Sequence, residues 1–216
     1  MILEPILPRI LSLRRLPGAD PALLRAYGAD PARHRALGLV TCDQDDPTYV
    51  ALDEATKHAN VDVVFAKSFY AGAAHASGRL SGEVLGVLAG ADPDEVDEGL
   101  AALVRCLEHD ACFYKADPKG TITVFPHVIA SVGRYLSREA GLEPGASMAY
   151  LVAPPMEATL ALDAALKAAD VRALRIMTPP TETNFAAAWL GGDLVSCQAA
   201  AEAYARTVVE VGMFPR

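Results

Sequence analysis

The chain has 216 residues, 52% of them hydrophobic, and a formal net charge of −8, which is enough apolar material for two small domains with their own cores. An acidic surface repels phosphate backbones, and no Lys/Arg cluster or aromatic-basic platform is present, so nucleic acid is excluded as a partner class. No apolar run reaches the roughly 18 residues of a membrane helix, and four cysteines without paired spacing (Cys42, Cys106, Cys112, Cys197) and no leader pattern predict reduced thiols inside a cell.

In chain order, residues 1–36 are punctuated by Pro8, Pro17, Gly18, Pro21, Gly28 and Pro31 and predict helical turns and a strand separated by loops. Leu37–Thr41 reads as a short buried strand, closed by the acidic turn Asp43-Gln44-Asp45-Asp46-Pro47. A helix is predicted over 48–60, where Ala51, Ala55 and Ala59 share one face and Asp53 stands four residues before Lys57. Val61–Phe65 predicts a strand and Tyr70–Gly82 a long glycine-rich loop. Strand 83–89 follows, then a helix opened by Asp92-Pro93-Asp94-Glu95 and running to Glu108.

The second half repeats this order. Ala51-Leu52-Asp53 through Val61 returns as Ala161-Leu162-Asp163 through Val171, with seven of eleven positions identical, and Arg25, Gly28, Asp30 and Pro31 return as Arg138, Gly141, Glu143 and Pro144. A repeat of this length predicts two related domains rather than a solenoid, because each unit is large enough to hold a core. Residues 124–136 mirror the N-terminal pieces, 149–152 form a strand, 158–169 a helix, 178–184 a loop, 186–190 a strand and 198–211 a last helix capped by Asp193 or Ser196. Each unit is α/β of the α+β type. The acidity is uneven: residues 1–112 carry 10 basic and 17 acidic side chains, residues 113–216 carry 9 and 10.

Catalytic patterns are absent. The histidines (His34, His58, His75, His109, His127) show no H-E-x-x-H spacing, and there is no G-x-S-x-G, Walker A loop or G-x-G-x-x-G. No enzyme, cofactor or metal site is expected. The Asp43-x-Asp45-Asp46 turn lacks the glycine of a calcium loop, since Thr48 stands in its place. It reads either as a solvated turn capping the following helix or as carboxylates that bind an ammonium group.

The two runs Ala51–Val61 and Ala161–Val171 resemble the helix signature of bacterial microcompartment (BMC) shell proteins. Longer strings sharpen this, namely Asp45-Asp46-Pro47-Thr48-Tyr49, Ser68-Phe69-Tyr70-Ala71-Gly72-Ala73-Ala74-His75, Gly82-Glu83-Val84-Leu85 and Ala153-Pro154-Pro155-Met156-Glu157-Ala158-Thr159. They are similar to the tandem-domain members that serve ethanolamine utilisation, over essentially the whole chain. The resemblance implies two circularly permuted, ferredoxin-like BMC domains, residues 1–113 and 114–216. It further implies a homotrimer that acts as a pseudohexameric tile beside other shell proteins of the compartment.

A gated central pore for metabolites or cofactors is implied too. Its gate residues are Tyr70, Gly72, His75, Gly78 and Gly82 in one loop and Pro179, Pro180, Thr181, Glu182 and Asn184 in the other. Ordinary exposed loops are the competing reading. Small pores that bind ethanolamine are implied at Asp45, Asp46, Glu83 and Glu157, with Tyr70 and Phe113 as walls, while Glu83 and Glu157 also fit structural ion pairs. Lys57 and Lys167 match the lysine at tile edges, or else pair with Asp53 and Asp163. A soluble amine-binding regulatory trimer that does not tile is the alternative.

Overall fold

The computed structural model describes residues 4–69, 82–179, 181 and 184–214. They fall into two compact units. One comprises Pro8–Ala111 with Gly133–Leu136 and is called here the N-terminal unit; the other comprises Met1–Leu7, Cys112–Val132 and Ser137–Arg216 and is called the C-terminal unit. Strand β1 (Glu4–Ile6) opens the chain and belongs to the latter.

The N-terminal unit runs β2 (Ile10–Leu16), α1 (Pro21–Ala26), β3 (Ala36–Cys42), α2 (Asp45–His58), β4 (Val61–Ser68), β5 (Val84–Gly90) and α3 (Pro93–His109). Its antiparallel sheet has the order β2-β3-β5-β4. Alternation along β3 and β5 sends residues to opposite faces. On one face the backbone at Gly38 lies against Val96 and Leu100 of α3, and that at Gly86 against Leu52 of α2. On the other, Leu37, Val87 and Ala89 pack with Leu24 of α1 and Ala29, and Tyr27 meets Phe65 edge-on at 5.5 Å. The central strands are therefore buried on both faces, which explains their continuous apolar reading.

The helix ends follow the expected chemistry. Asp20 Oδ1 accepts from Ala22 N at 2.7 Å ahead of Pro21, and Asp92 Oδ1 accepts from the N–H groups of Asp94 and Glu95 at 3.0 Å. Helix α2 begins three residues earlier than predicted. Asp45 and Asp46 form its first turn rather than a preceding loop, because carboxylates there face the positive end of the helix dipole and Pro47 is tolerated where no N–H partner is needed.

The C-terminal unit continues with β6 (Phe113–Lys115), β7 (Thr123–Ile129), α4 (Arg134–Ala140, its first three residues grouping with the N-terminal unit), β8 (Ser147–Ala153), α5 (Pro155–Ala168), β9 (Arg172–Met177), β10 (Ala186–Gly192) and α6 (Leu194–Met213). Its sheet has the order β1-β6-β7-β8-β10-β9. Ala149, Leu151 and Ala153 of β8 and Ala186, Ala188 and Leu190 of β10 pack against Ala158, Ala161 and Ala165 of α5 and against Cys197, Ala200 and Tyr204 of α6. The opposite face carries an aromatic row, Phe113–Phe125–Tyr150–Trp189, with ring centroids 5.1, 5.6 and 5.4 Å apart in turn. Of the two caps considered for the last helix, Asp193 serves, accepting from Ser196 N at 2.7 Å.

The sequence repeat is a topological repeat. β7-β8-α5-β9-β10-α6, in sheet order β7-β8-β10-β9, reproduces β2-β3-α2-β4-β5-α3 in order β2-β3-β5-β4. Strand β9 was not predicted. It lies at the sheet edge and is largely exposed, so it lacks the apolar alternation by which strands are recognised. Four cysteines are buried free thiols, and burial pushes Cys106 up to about 12, which leaves it unreactive.

Asp53 departs from its expected role as the partner of Lys57. It is fully buried in α2, where Oδ2 accepts from Gly133 N at 2.6 Å and Oδ1 from Leu136 N at 2.8 Å. Thr56 Oγ1 accepts from Arg134 N at 3.0 Å, and the Arg134 guanidinium donates to the carbonyls of Ala59 and Val61. A Cβ at Gly133 would stand 2.6 Å from Asp53 O, so only glycine lets the segment come this close. Burial raises the Asp53 carboxyl, and the Leu136 and Gly133 N–H groups oppose the shift. Lys57 turns to Glu54 instead. Asp53→Ala would leave two buried N–H groups without acceptors at about 1–3 kcal/mol each. We expect a loss of roughly 2–6 kcal/mol and a Tm lower by on the order of 10 °C, with a smaller loss for Asp53→Asn, measured by thermal denaturation.

Candidate functional site

The acidic residues of the N-terminal unit converge where β3 hands over to α2 and where β5 begins. Asp45 and Asp46 are nearly buried in the first turn of α2. Asp45 Oδ1 accepts from Asp46 N at 2.9 Å, and its Oδ2 accepts from the Ser68 hydroxyl, at the end of β4, at 2.7 Å. Because that bond uses the single Ser68 proton, the Tyr49 hydroxyl, 2.5 Å from Ser68 Oγ, is the donor to it. Burial pushes the Tyr49 phenol up to about 12, and the negative charges of Asp45 and Asp46 add to the shift. The phenol therefore stays neutral and holds Ser68 in its donating orientation.

Glu83 is placed by its backbone. Its N–H donates to Cys42 O at 2.8 Å, its carbonyl accepts from Phe69 N at 2.9 Å, and a Cβ at Gly82 would fall 1.9 Å from Cys42 O. Glycine at 82 is thus required for the chain to press onto the end of β3. The Glu83 carboxyl is raised by burial first and then by the charges of Asp45 and Asp43. Asp43 is held by Arg9, whose N–H donates to Oδ1 at 2.7 Å and whose guanidinium lies 3.6 Å from Oδ2. Glu83 has no cationic partner among the described residues.

A part-buried carboxylate next to other carboxylates is a place of negative potential, and a small cation relieves it. An ammonium with three N–H donors suits such oxygens. Among the described residues no group of three or more His, Cys, Asp or Glu is arranged to hold a metal ion. The structure thus brings together Asp45, Asp46 and Glu83 of the predicted set, and adds Tyr49 and Ser68, to which sequence reasoning assigned no role. Tyr49 lies one helical turn beyond Asp45, a spacing that places both on one face.

Glu157 and Phe113 belong to the C-terminal unit. Glu157 is in the first turn of α5 and part-exposed. Phe113 is buried within the aromatic row and also meets Phe185, at 6.2 Å. The first turn of α5 has Pro155 and Met156 where α2 has Asp45 and Asp46, so the acidic cluster has no counterpart in the second copy. Tyr70, Gly72, His75, Gly78, Pro180 and Glu182 fall outside the described residues. Of the remaining candidates for the gate, Pro179 and Asn184 are exposed. Asn184, at φ +62°, donates its N–H to Thr181 O at 3.2 Å, and the Thr181 hydroxyl donates to Phe185 O at 2.9 Å. Lys167 forms the expected pair with Asp163 at 2.6 Å on an open surface.

Residues 36–116 match the family model for the BMC domain. The chain is 47% identical over 210 residues to the bacterial microcompartment shell protein EutL of Clostridium perfringens, covering 97% of this chain and 96% of the relative. It is 48% identical to EutL of Salmonella typhimurium over 179 residues, 83% of this chain and 82% of that one. A crystal structure of the C. perfringens protein superposes with a TM-score of 0.95 at 46% identity, covering all of this chain and 97% of its own.

The raised Glu83 carboxyl has a signed consequence. A carboxyl whose folded value lies above its unfolded one favours folding while protonated, and that contribution is lost as pH rises through the raised value. Glu83→Gln should therefore match the parent in thermal stability at acid pH and exceed it at neutral pH. Asp45→Asn should bring the Glu83 titration, followed by NMR of its carboxyl carbon, back toward the ordinary range.

Proposed function

Because the chain belongs to the EutL family of bacterial microcompartment shell proteins, we propose that it forms a trimeric tile in the shell of an ethanolamine-utilising compartment and binds ethanolammonium at its acidic cluster. It is a structural component of a microcompartment shell and not an enzyme. The observation that carries the ligand reading is the raised Glu83 carboxyl beside Asp45 and Asp43, with no cation of the described chain against it. Ethanolammonium supplies the missing positive charge, three N–H donors for the carboxylates and a hydroxyl for a further bond. Glu157 and Phe113 enter this reading through the family resemblance alone.

Two domains per chain, residues 1–113 and 114–216, make three chains equivalent to a six-sided tile. In this reading a central pore is bordered by the connections between β4 and β5 and between β9 and β10, which occupy the same topological place in the two copies. Those connections carry the residues predicted as the gate, and solutes of the compartment cross there. Lys57 and Lys167, at equivalent positions of α2 and α5, meet neighbouring shell proteins at the tile edges.

Calorimetric titration of the trimer with ethanolammonium tests the ligand. An Asp45→Asn, Asp46→Asn double variant and Glu83→Gln should each weaken binding by about 10- to 100-fold, as expected for losing a charged hydrogen-bond partner. Glu157→Gln tests the fourth carboxylate in the same way. Affinity should fall as the solution is acidified through the Glu83 titration, and an unchanged affinity in the first two variants would reject the site. For the shell role, electron microscopy of the concentrated protein should show extended sheets that are lost in a Lys57→Ala, Lys167→Ala variant that still elutes as a trimer. Isolated trimers of the parent at every concentration, and with co-expressed shell partners, would favour a regulatory protein that does not tile.

A further inference from the structure

The second copy holds a half-open cleft of about 110 Å³ between the first turns of α5, the end of β9 and the start of β10. Its inner wall is alkyl and aromatic, made by Ala158 and Leu162 of α5, Ala186 and Ala188 of β10, and Tyr204 of α6; Thr178 and Pro179 stand at the end of β9. The first copy explains why space exists here. Helices α2 and α5 begin with residues 45 and 155 and have the same length, so Thr159 stands where α2 carries Tyr49, whose ring reaches Ser68 at the end of β4. Strands β5 and β10 begin with residues 84 and 186, so Ala186 and Ala187 stand where the first copy carries Val84 and Leu85. One frame, furnished with smaller side chains, is left with an open cleft at the position that a phenol fills in the other copy.

From this geometry we infer that the cleft is a binding site for a small uncharged molecule with an apolar body, separate from the acidic cluster. Among the described residues no carboxylate and no basic side chain borders it, so an ion would gain no charged partner there for the water it gives up. The proton of the Thr159 hydroxyl is committed to Pro155 O at 2.7 Å, which leaves that hydroxyl as an acceptor at the wall. A cleft lined by alkyl and aromatic groups takes up apolar groups from water, and since an enclosed cavity of about 150 Å³ accepts benzene, the smaller space here suits a molecule of about three to five heavy atoms, such as a short alcohol or aldehyde. The two copies therefore sort solutes by charge, with cations drawn to the acidic start of α2 and neutral molecules to the alanine-lined start of α5. A guest would press on Thr178 and Pro179, the stem of the β9–β10 connection.

Xenon, an uncharged probe of cavities, tests the site in crystals of the full-length trimer under gas pressure. One xenon atom is expected in contact with Ala158, Leu162 and Ala188. It should be absent from Thr159→Tyr, which introduces the first copy's phenol on an exposed helix face, and from Ala186→Val, which restores the first copy's valine. A parent trimer with no xenon at this place, because a neighbouring subunit fills it or because it collapses, would overturn the inference, as would undiminished occupancy in both variants. In solution, 1-propanol should raise the Tm of the parent saturably and leave that of Thr159→Tyr unmoved. Equal responses of the two proteins would reject a defined site.

Discussion

The approach of two helices onto one face of an antiparallel sheet is the constraint from which both halves of the molecule follow. Backbones come this close only where side chains are short. In the N-terminal unit Gly38 and Gly86 accept the side chains of α3 and α2; in the C-terminal unit Ala158, Ala161 and Ala165 of α5 meet Ala149, Ala153, Ala186 and Ala188. The alanine spacing that made the repeat visible is this packing rule written along a helix. It was duplicated with the fold because each copy has to solve the same problem.

Within that shared frame the copies diverge through a few charged and aromatic residues. Asp53 and Asp163 occupy the same place in α2 and α5, yet one is fully buried against the N–H groups of Gly133 and Leu136 while the other lies in water, paired with Lys167. The buried carboxylate acts as an acceptor for backbone donors that would otherwise be orphaned. The exposed pair contributes little. At the helix starts the contrast is chemical: Asp45 and Asp46 against Pro155 and Met156, and Tyr49 against Thr159. The first set builds a site of negative potential, the second an apolar cleft. A duplicated domain has in this way acquired two different surfaces without a change of topology.

What could be read along the chain depended on the range of the interaction that produced it. Strand β5, helix α3 with its Asp92 cap and the Lys167–Asp163 pair all arise from neighbours within a few residues, and the sequence was sufficient for them; for the last helix it left Asp193 and Ser196 as alternative caps. Edge strand β9, Arg172-Ala-Leu-Arg-Ile-Met, has no buried face to impose alternation, so it could be found only through its correspondence with β4. The acidic cluster was half legible. Asp45, Asp46 and Glu83 stood out as carboxylates with a family resemblance behind them, whereas Ser68 and Tyr49 became part of the site because the end of β4 lies beside the first turn of α2.

By itself the sequence determined the duplication, the alternation of strands and helices, the helix caps, the imbalance of charge and the family. These are properties of local backbone geometry and of residue identity, and they are present in every conformation of the chain. Only the tertiary structure decided which carboxylate is spent on the fold and which stands without a cationic partner among the described residues. Asp53 looked like half of an ordinary helical ion pair, and it is instead the acceptor for a segment 80 residues away. Glu83 looked like any strand-end acid, and its carboxyl is raised by burial and by the charges of Asp45, in the first turn of α2, and Asp43, in the turn before it. Desolvation and Coulomb repulsion depend on distances across the folded chain, and no spacing along the sequence encodes those distances.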